Sequence, residues 1–270
     1  MIDYQETVRQ ARIKVLELLF KAQTSHAGSN MSCIDILSIL FEKADFKKDK
    51  LVVSKGWVAA SVYVLVAMKG LIPKKDLETY CKPDSKYIGL IEPLGFFGAE
   101  TAGGSMGLSF SMGIGMARAK KLLKKEGTIY ILMSDGEMHC GNIWESCRKA
   151  IQEKLDNVVV IVDKNGFCAM GETDKILKIE PEEMFSKWDI RYIDGHNFED
   201  LGNMMDYKSE EKKPVVFIAK TIKGYPISFM SANNDWHYRH LDIENYQKAI
   251  NELNEIKTDT YGGKIRQKLA

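Results

Sequence analysis

Residues 128–171 read TIYILMSDGEMHCGNIWESCRKAIQEKLDNVVVIVDKNGFCAMG. Two short apolar runs, 129–133 and 158–162, bracket a stretch with helical spacing, 142–154. In that stretch Ile143, Trp144, Cys147, Ala150 and Ile151 share one side. Each apolar run ends in a polar turn: Ser134-Asp135-Gly136-Glu137 after the first, Asp163-Lys164-Asn165-Gly166 after the second. Short unbroken apolar runs of this kind belong to parallel strands buried on both faces. A strand–helix–strand unit crosses over right-handedly, which puts both turns at the carboxyl edge of one sheet. Ligands bind at that edge in doubly wound folds. The expected class is therefore α/β, a doubly wound, mainly parallel sheet with helices on both faces.

The two turns offer oxygen ligands to a hard cation. Asp135 and Asn165 stand 165 − 135 = 30 residues apart, one at each turn. A carboxylate, an amide oxygen and a nearby backbone carbonyl suit Mg²⁺ or Ca²⁺, with phosphate oxygens and water completing the shell. Gly136 lets the backbone approach a phosphate, and the helix start that follows favours an anion. Taken singly, both tetrapeptides are ordinary turns, because Asp, Asn and Gly dominate turns. The pair, on consecutive parallel strands, is far more specific.

Composition narrows the partners. The 270 residues carry 38 basic and 37 acidic side chains, a balance that argues against nucleic acid or a membrane surface. No stretch reaches the ~18 unbroken apolar residues of a membrane span, and the first twenty residues lack the order of a secretory leader. Five cysteines, scattered and odd in number, fit a reducing cytoplasm. A hydrophobic content of 45% can fill one sizeable core, so residues 1–270 read as a single domain, with 241–270 a charged helix and tail.

Outward from the central unit, 4–24 is an amphipathic helix, and Ser25-His26-Ala27-Gly28-Ser29 breaks it before a second helix at 33–41. A short strand at 51–54 leads into Lys55-Gly56-Trp57 and a helix over 58–69. Residues 73–103 are irregular, with Pro73, Pro83 and Pro93. Gly103-Gly104-Ser105-Met106-Gly107 then opens a helix through 119, a weak phosphate signal by itself. Gly113-Ile114-Gly115 lies inside that helical pattern with no strand before it, so it is no dinucleotide fingerprint. Strands follow at 190–193 and 214–220, with a helix at 198–207 between them. His196, in the turn Asp194-Gly195-His196-Asn197, reads as structural; Thr221-Ile222-Lys223-Gly224 ends the last strand, and Trp236-His237-Tyr238-Arg239-His240 is dense in polar aromatics.

Asp135-Gly136, thirty residues, then Asn165 resembles the thiamine diphosphate motif of the transketolase family, supported by Gly141-Asn142-Ile143-Trp144-Glu145 and Val162-Asp163-Lys164-Asn165. The resemblance runs from about residue 5 to about 240 and implies the diphosphate-binding domain of the thiamine diphosphate fold. It implies that Asp135, Asn165 and the Phe167 carbonyl hold Mg²⁺ (or Ca²⁺). Gly104, Ser105, Met106, Gly136, Glu137, Trp57 and His237 would contact the cofactor, and His26 would face the reacting end as the catalytic histidine. Four positions depart from the family: Ser134 for the first glycine of the motif, Cys140 for a glutamate that joins paired sites, and Trp57 and the Glu92 region for two histidines. The family's second domain supplies the glutamate that activates the cofactor, so the resemblance implies a separate C-terminal transketolase-like partner chain, an α2β2 heterotetramer and small sugar substrates. The alternatives are the alpha subunit of a 2-oxo acid dehydrogenase, a non-catalytic chain that only binds cofactor, and a plain nucleotide-binding protein that leaves the paired turns unexplained.

Overall fold

A computed structural model describes residues 4–256. In chain order the elements are α1 (Tyr4–Ala22), α2 (Ala27–Lys43), β1 (Lys50–Val53), α3 (Ala59–Met68), α4 (Leu108–Leu122), β2 (Ile129–Ser134), α5 (Gly141–Gln152), β3 (Val158–Lys164), the two-residue strands β4 (Phe167–Cys168) and β5 (Gly171–Glu172), short helices α6 (Thr173–Ile176) and α7 (Pro181–Met184), then β6 (Asp189–Asp194), α8 (Phe198–Asp206), β7 (Val215–Lys220) and α9 (Ile243–Glu255). The part of the expected C-terminal tail beyond residue 256 lies outside the described residues.

Five strands form one wholly parallel sheet in the order β1-β2-β3-β7-β6. Alternation along each strand sorts the core into two layers. Tyr130 and Leu132 of β2, Ile161 of β3, and Val215 and Phe217 of β7 face the layer built by α1, α2, α3, α8 and α9. Ile129, Ile131, Met133, Val158, Val160, Val162, Val216 and Ile218 face the layer built by α4, α5 and the Phe185–Trp188 segment. Right-handed crossovers explain this division. The chain moves from β1 through β2 to β3 in one direction, with α4 and α5 on one face. It then skips to the edge strand β6 and returns to β7, so α8 must lie on the other face.

The register sets Ser134 beside Asp163, and Asp163 beside Ala219. The turns after β2, β3 and β7 therefore leave the sheet at one level, as the carboxyl-edge argument requires.

One boundary differs from expectation. Helix α2 begins at Ala27, not near residue 33, because His26 takes a left-handed conformation (φ 70°) and turns the chain within a single residue. Gly28 then fits inside the helix against Trp236: a Cβ there would stand 3.3 Å from the Trp236 carbonyl oxygen.

Candidate active site

Four loops converge over the carboxyl ends of the strands. Behind β1, Ser54-Lys55-Gly56 turns into Trp57. Behind β2 comes the Asp135–His139 turn, behind β3 Asn165-Gly166-Phe167, and behind β7 Thr221 to Gly224. The first three help to line a cavity of about 220 Å³. Eight of the eleven residues singled out from the sequence line it: His26, Trp57, Gly104, Met106, Gly136, Asn165, Phe167 and His237.

The remaining three lie elsewhere. Asp135 is buried in the turn itself, its carboxylate accepting from the backbone N–H of Gly136 (3.0 Å) and Gly166 (2.7 Å), so it clasps the two turns together. Ser105 is exposed at the loop tip outside the cavity lining. Glu137 is turned inward and does not line the cavity. Its carboxylate accepts from the Ser54 hydroxyl, from Gly107 N–H (3.2 Å) and from Ser134 N–H (2.8 Å). With Ser134 it forms a capping box. Glu137 was expected to contact cofactor, and its bonds here run inward. Every bond it makes is internal, and its work is to tie the glycine-rich loop to the β2 turn.

Beneath the cavity floor lies a buried charge cluster. Lys55 pairs with Asp163, both fully buried. Asp163 also accepts from the Ser32 hydroxyl (2.6 Å), the Thr221 hydroxyl and the Asn165 amide (3.3 Å). Burial opposes ionisation of both partners; their mutual attraction outweighs it, holding Asp163 below the usual carboxylate range and Lys55 above the usual ammonium one. Asp135 makes no ion pair, and the charge of Lys55 only partly offsets its burial. Burial and the neighbouring charge of Asp163 push its carboxyl up to about 7.

The fit to a divalent cation follows from that donor set. Each Asp135 oxygen keeps acceptor capacity beyond its one backbone bond, and Asn165 Oδ1 accepts a single bond, from Phe167 N–H (3.1 Å). Among the described residues no group of three or more His, Cys, Asp or Glu side chains could hold a metal. A cation here would thus rest on one carboxylate, one amide oxygen, a backbone carbonyl and oxygens brought by a ligand, which suits Mg²⁺ or Ca²⁺.

One wall of the cavity is aromatic. His26 and His237 meet edge to face at 4.9 Å, with Tyr238 5.9 Å from His26 and Trp57 6.4 Å from it, ring centre to ring centre. Burial and the charges of Lys223 and Lys55 bring His26 down to about 4; burial, Lys223 and His26 bring His237 down to about 3. Both rings are neutral near pH 7. His237 Nδ1 lies 2.8 Å from Lys223 Nζ, which also donates to Asn234 (2.6 Å). With Nδ1 accepting from the ammonium, the proton of His237 sits on Nε2. Lys223 is lowered to about 8 by burial and the charge of Lys55.

Sequence reasoning missed Lys55, Asp163, Thr221 and Lys223 as one group. Their available signal was position, since each sits at or just past the carboxyl end of a strand. His196 is structural, as expected: Nδ1 meets Asp35 at 2.6 Å and Nε2 accepts from Ile222 N–H (2.9 Å), so the ring is the neutral Nδ1–H form that pins the β6 and β7 turns together.

Comparisons with known proteins agree with this geometry. Residues 3–256 match the family described as transketolase, thiamine diphosphate binding domain. An apulose-4-phosphate transketolase subunit of Phocaeicola vulgatus is 31% identical over 261 residues, covering 90% of this chain and 91% of that protein. A 6-deoxy-6-sulfo-D-fructose transketolase subunit of a Clostridium species is 30% identical, covering 93% and 96%. Human transketolase is 28% identical across 92% of this chain, which spans 42% of it. The crystal structure of Campylobacter jejuni transketolase superposes with a TM-score of 0.88 at 24% identity, over 96% of this chain and 44% of that one. Convergent loops, a paired Asp and Asn and these matches lead to one assignment: the chain belongs to the transketolase family, as its thiamine diphosphate binding domain.

Proposed function

We propose that this chain is the diphosphate-binding half of a split transketolase. It would move a two-carbon ketol (or acyl) unit from a ketose or 2-oxo donor to an aldehyde or ketone sugar acceptor. One observation carries the reading. The cavity joins an oxygen-donor cation site to a neutral histidine wall, yet at about 220 Å³ it is smaller than the roughly 300–1,000 Å³ usual for a whole ligand site. A second polypeptide that closes over it would supply the rest. Relatives named as transketolase subunits match this chain nearly end to end, which supports the same division.

Thiamine diphosphate, when bound, supplies the electron sink that lets a carbonyl carbon act as nucleophile. Asp135, Asn165 and the Phe167 carbonyl would hold Mg²⁺ (or Ca²⁺) against the diphosphate. Gly104, Met106 and Gly136 give the cofactor backbone to lie on, and Nε2–H of His237 can donate to it. Neutral His26 orients donor hydroxyls and can pass a proton. Trp57 sets the apolar side of the donor pocket. The activating glutamate comes from the C-terminal partner, in an α2β2 heterotetramer. All five cysteines are free thiols, which fits the cytoplasm, and no described helix is long and apolar enough to cross a membrane.

The test mixes the purified chain with a C-terminal transketolase-like chain, thiamine diphosphate and Mg²⁺, and follows ketol transfer from a ketose donor. Activity only in the mixture supports the reading. Full activity of the isolated 270-residue chain, or none in an assembled complex with any ketose or 2-oxo donor, refutes it.

A further inference from the structure

Tyr238 lines the cavity and has no part in the reading above. Other polar side chains of the lining are held by bonds within the protein: Lys55 and Asn165 to Asp163, Ser134 to Glu137, His237 to Lys223. Among the described residues no protein group bonds the Tyr238 hydroxyl. The residue is 62% exposed, so it stands at the cavity mouth with its phenol open to water.

The ring is nonetheless fixed. It meets His237 at 4.7 Å and His26 at 5.9 Å, ring centre to ring centre, edge to face with both. Edge-to-face geometry is a favoured one for aromatic pairs. The backbone beneath is equally held. Tyr238 N–H and Arg239 N–H both donate to the Asp235 carbonyl (3.3 and 2.9 Å). Asn233 accepts from Asp235 N–H (3.0 Å), and Lys223 donates to Asn234 (2.6 Å). A tyrosine placed this way offers an apolar face and a hydroxyl in a set position, with only two side-chain torsions to freeze on contact.

His26 has two aromatic neighbours of different depth, half-buried Trp57 and exposed Tyr238. In a two-carbon transfer, the aldehyde that leaves and the acceptor that arrives present a carbonyl carbon to the same reacting end. Both therefore share one channel, and the part of the sugar that is not transferred extends toward the mouth. A phenol is donor and acceptor at once, and so is the alcohol group of a sugar. We propose that Tyr238 is a specificity-determining residue, hydrogen-bonding a hydroxyl of the untransferred part of the sugar and so selecting hydroxylated acceptors over deoxygenated ones. The inference rests on the split-enzyme reading and gives it a substrate class, polyhydroxylated aldehydes and ketones. Water competes for an exposed phenol, so the selection is modest, about three- to tenfold.

The experiment uses the assembled complex of the full chain with its C-terminal partner, thiamine diphosphate and Mg²⁺. With one donor fixed, kcat/KM is measured for two four-carbon acceptors, erythrose and butanal, and their ratio is compared between variants. Tyr238→Phe keeps the ring against both histidines and removes only the hydroxyl. The erythrose-to-butanal ratio should fall about three- to tenfold, through a higher KM for erythrose. Binding of erythritol, which has no carbonyl to react, followed by ligand-observed NMR on the same complex, should weaken by a similar factor. A wild-type ratio in Tyr238→Phe overturns the proposal and leaves the split-enzyme reading standing. An equal loss for both acceptors also overturns it, because a residue that only shapes the histidine wall would act on both. Absence of transfer to either acceptor from any ketose or 2-oxo donor by the wild-type complex overturns the reading and the proposal together.

Discussion

Gly56 and Gly103 touch backbone to backbone: a Cβ on Gly56 would stand 2.3 Å from the Gly103 carbonyl oxygen. The contact is locked by Ile91, whose N–H donates to Gly56 (3.0 Å) and whose carbonyl accepts from Gly103 N–H (2.8 Å). Through it the turn bearing Trp57 and the loop bearing Gly104 and Met106 share one position. Gly56→Ala must force the two loops apart. The cost expected for overpacking is about 1–3 kcal/mol, read as a lower melting temperature, and cofactor affinity should fall with it. An unchanged melt would mean the loops part freely.

Asp135→Ala removes the charged donor of the proposed cation site and the clasp between the β2 and β3 turns. Calorimetry on the assembled complex with Mg²⁺ should show no thiamine diphosphate binding. The same affinity as wild type would refute the cation site.

The Lys55–Asp163 pair is buried on both sides, so Asp163→Ala leaves a buried ammonium without its ion-pair partner. Loss of one partner of such a pair costs about 3–5 kcal/mol. Lys55→Met with Asp163→Leu, which removes both charges, should recover much of that in urea unfolding. A double variant no better than the single one would show that Ser32 and Thr221, which also bond Asp163, matter more than the charge.

Asp35 gives a pH dependence far from the cavity. Burial would raise its carboxyl; the charge of Arg12 and the bond from His196 outweigh burial and leave it depressed. A depressed carboxyl contributes stability that is present above the unfolded value, near 4, and lost as pH falls through the folded one. Asp35→Asn should therefore be much less stable than wild type at about pH 7, and the difference should shrink below about pH 4. A difference constant from neutral pH down to about pH 3 would contradict this.

Trp57 concerns substrate choice. Indole donates one N–H, never ionises, and presents a broad apolar face 6.4 Å from the His26 ring. A donor hydroxyl left unmatched there costs on the order of 1–3 kcal/mol, about ten- to a hundredfold. Wild type should favour a short 2-oxo acid or deoxyketose donor over a fully hydroxylated sugar phosphate. Trp57→His should move the ratio of kcat/KM toward the hydroxylated donor, and a fixed ratio would reduce Trp57 to filling space.

Strands β2 and β3 and their turns were legible because burial on both faces leaves an unbroken apolar run, and the first polar residues after it mark the sheet edge. Lys55 and Asp163 were not. Each looks like the start of a turn, and no local pattern pairs residues 108 apart. The inward bonds of Glu137 were not legible either. Its neighbour Gly136 lines the cavity, but the tight turn swings the Glu137 side chain back under Ser54 and Gly107. The early start of α2 escaped because Ser-His-Ala-Gly-Ser is breaker-rich, and the packing of Trp236 that makes Gly28 acceptable comes from the far end of the chain.

The bond from His26 N–H to the His237 carbonyl (3.0 Å) joins residues 237 − 26 = 211 apart. It makes the cavity a late event in the life of the molecule. A chain emerging from the ribosome has β1, β2, β3 and β7 in hand by residue 220, enough to pair the inner sheet. His26 then waits without its wall until Trp236 and His237 arrive. A chain cut just past β7 would keep the sheet strands without the cavity's histidine wall. The short stretch that ends in Tyr238 converts that sheet into something a cofactor can occupy.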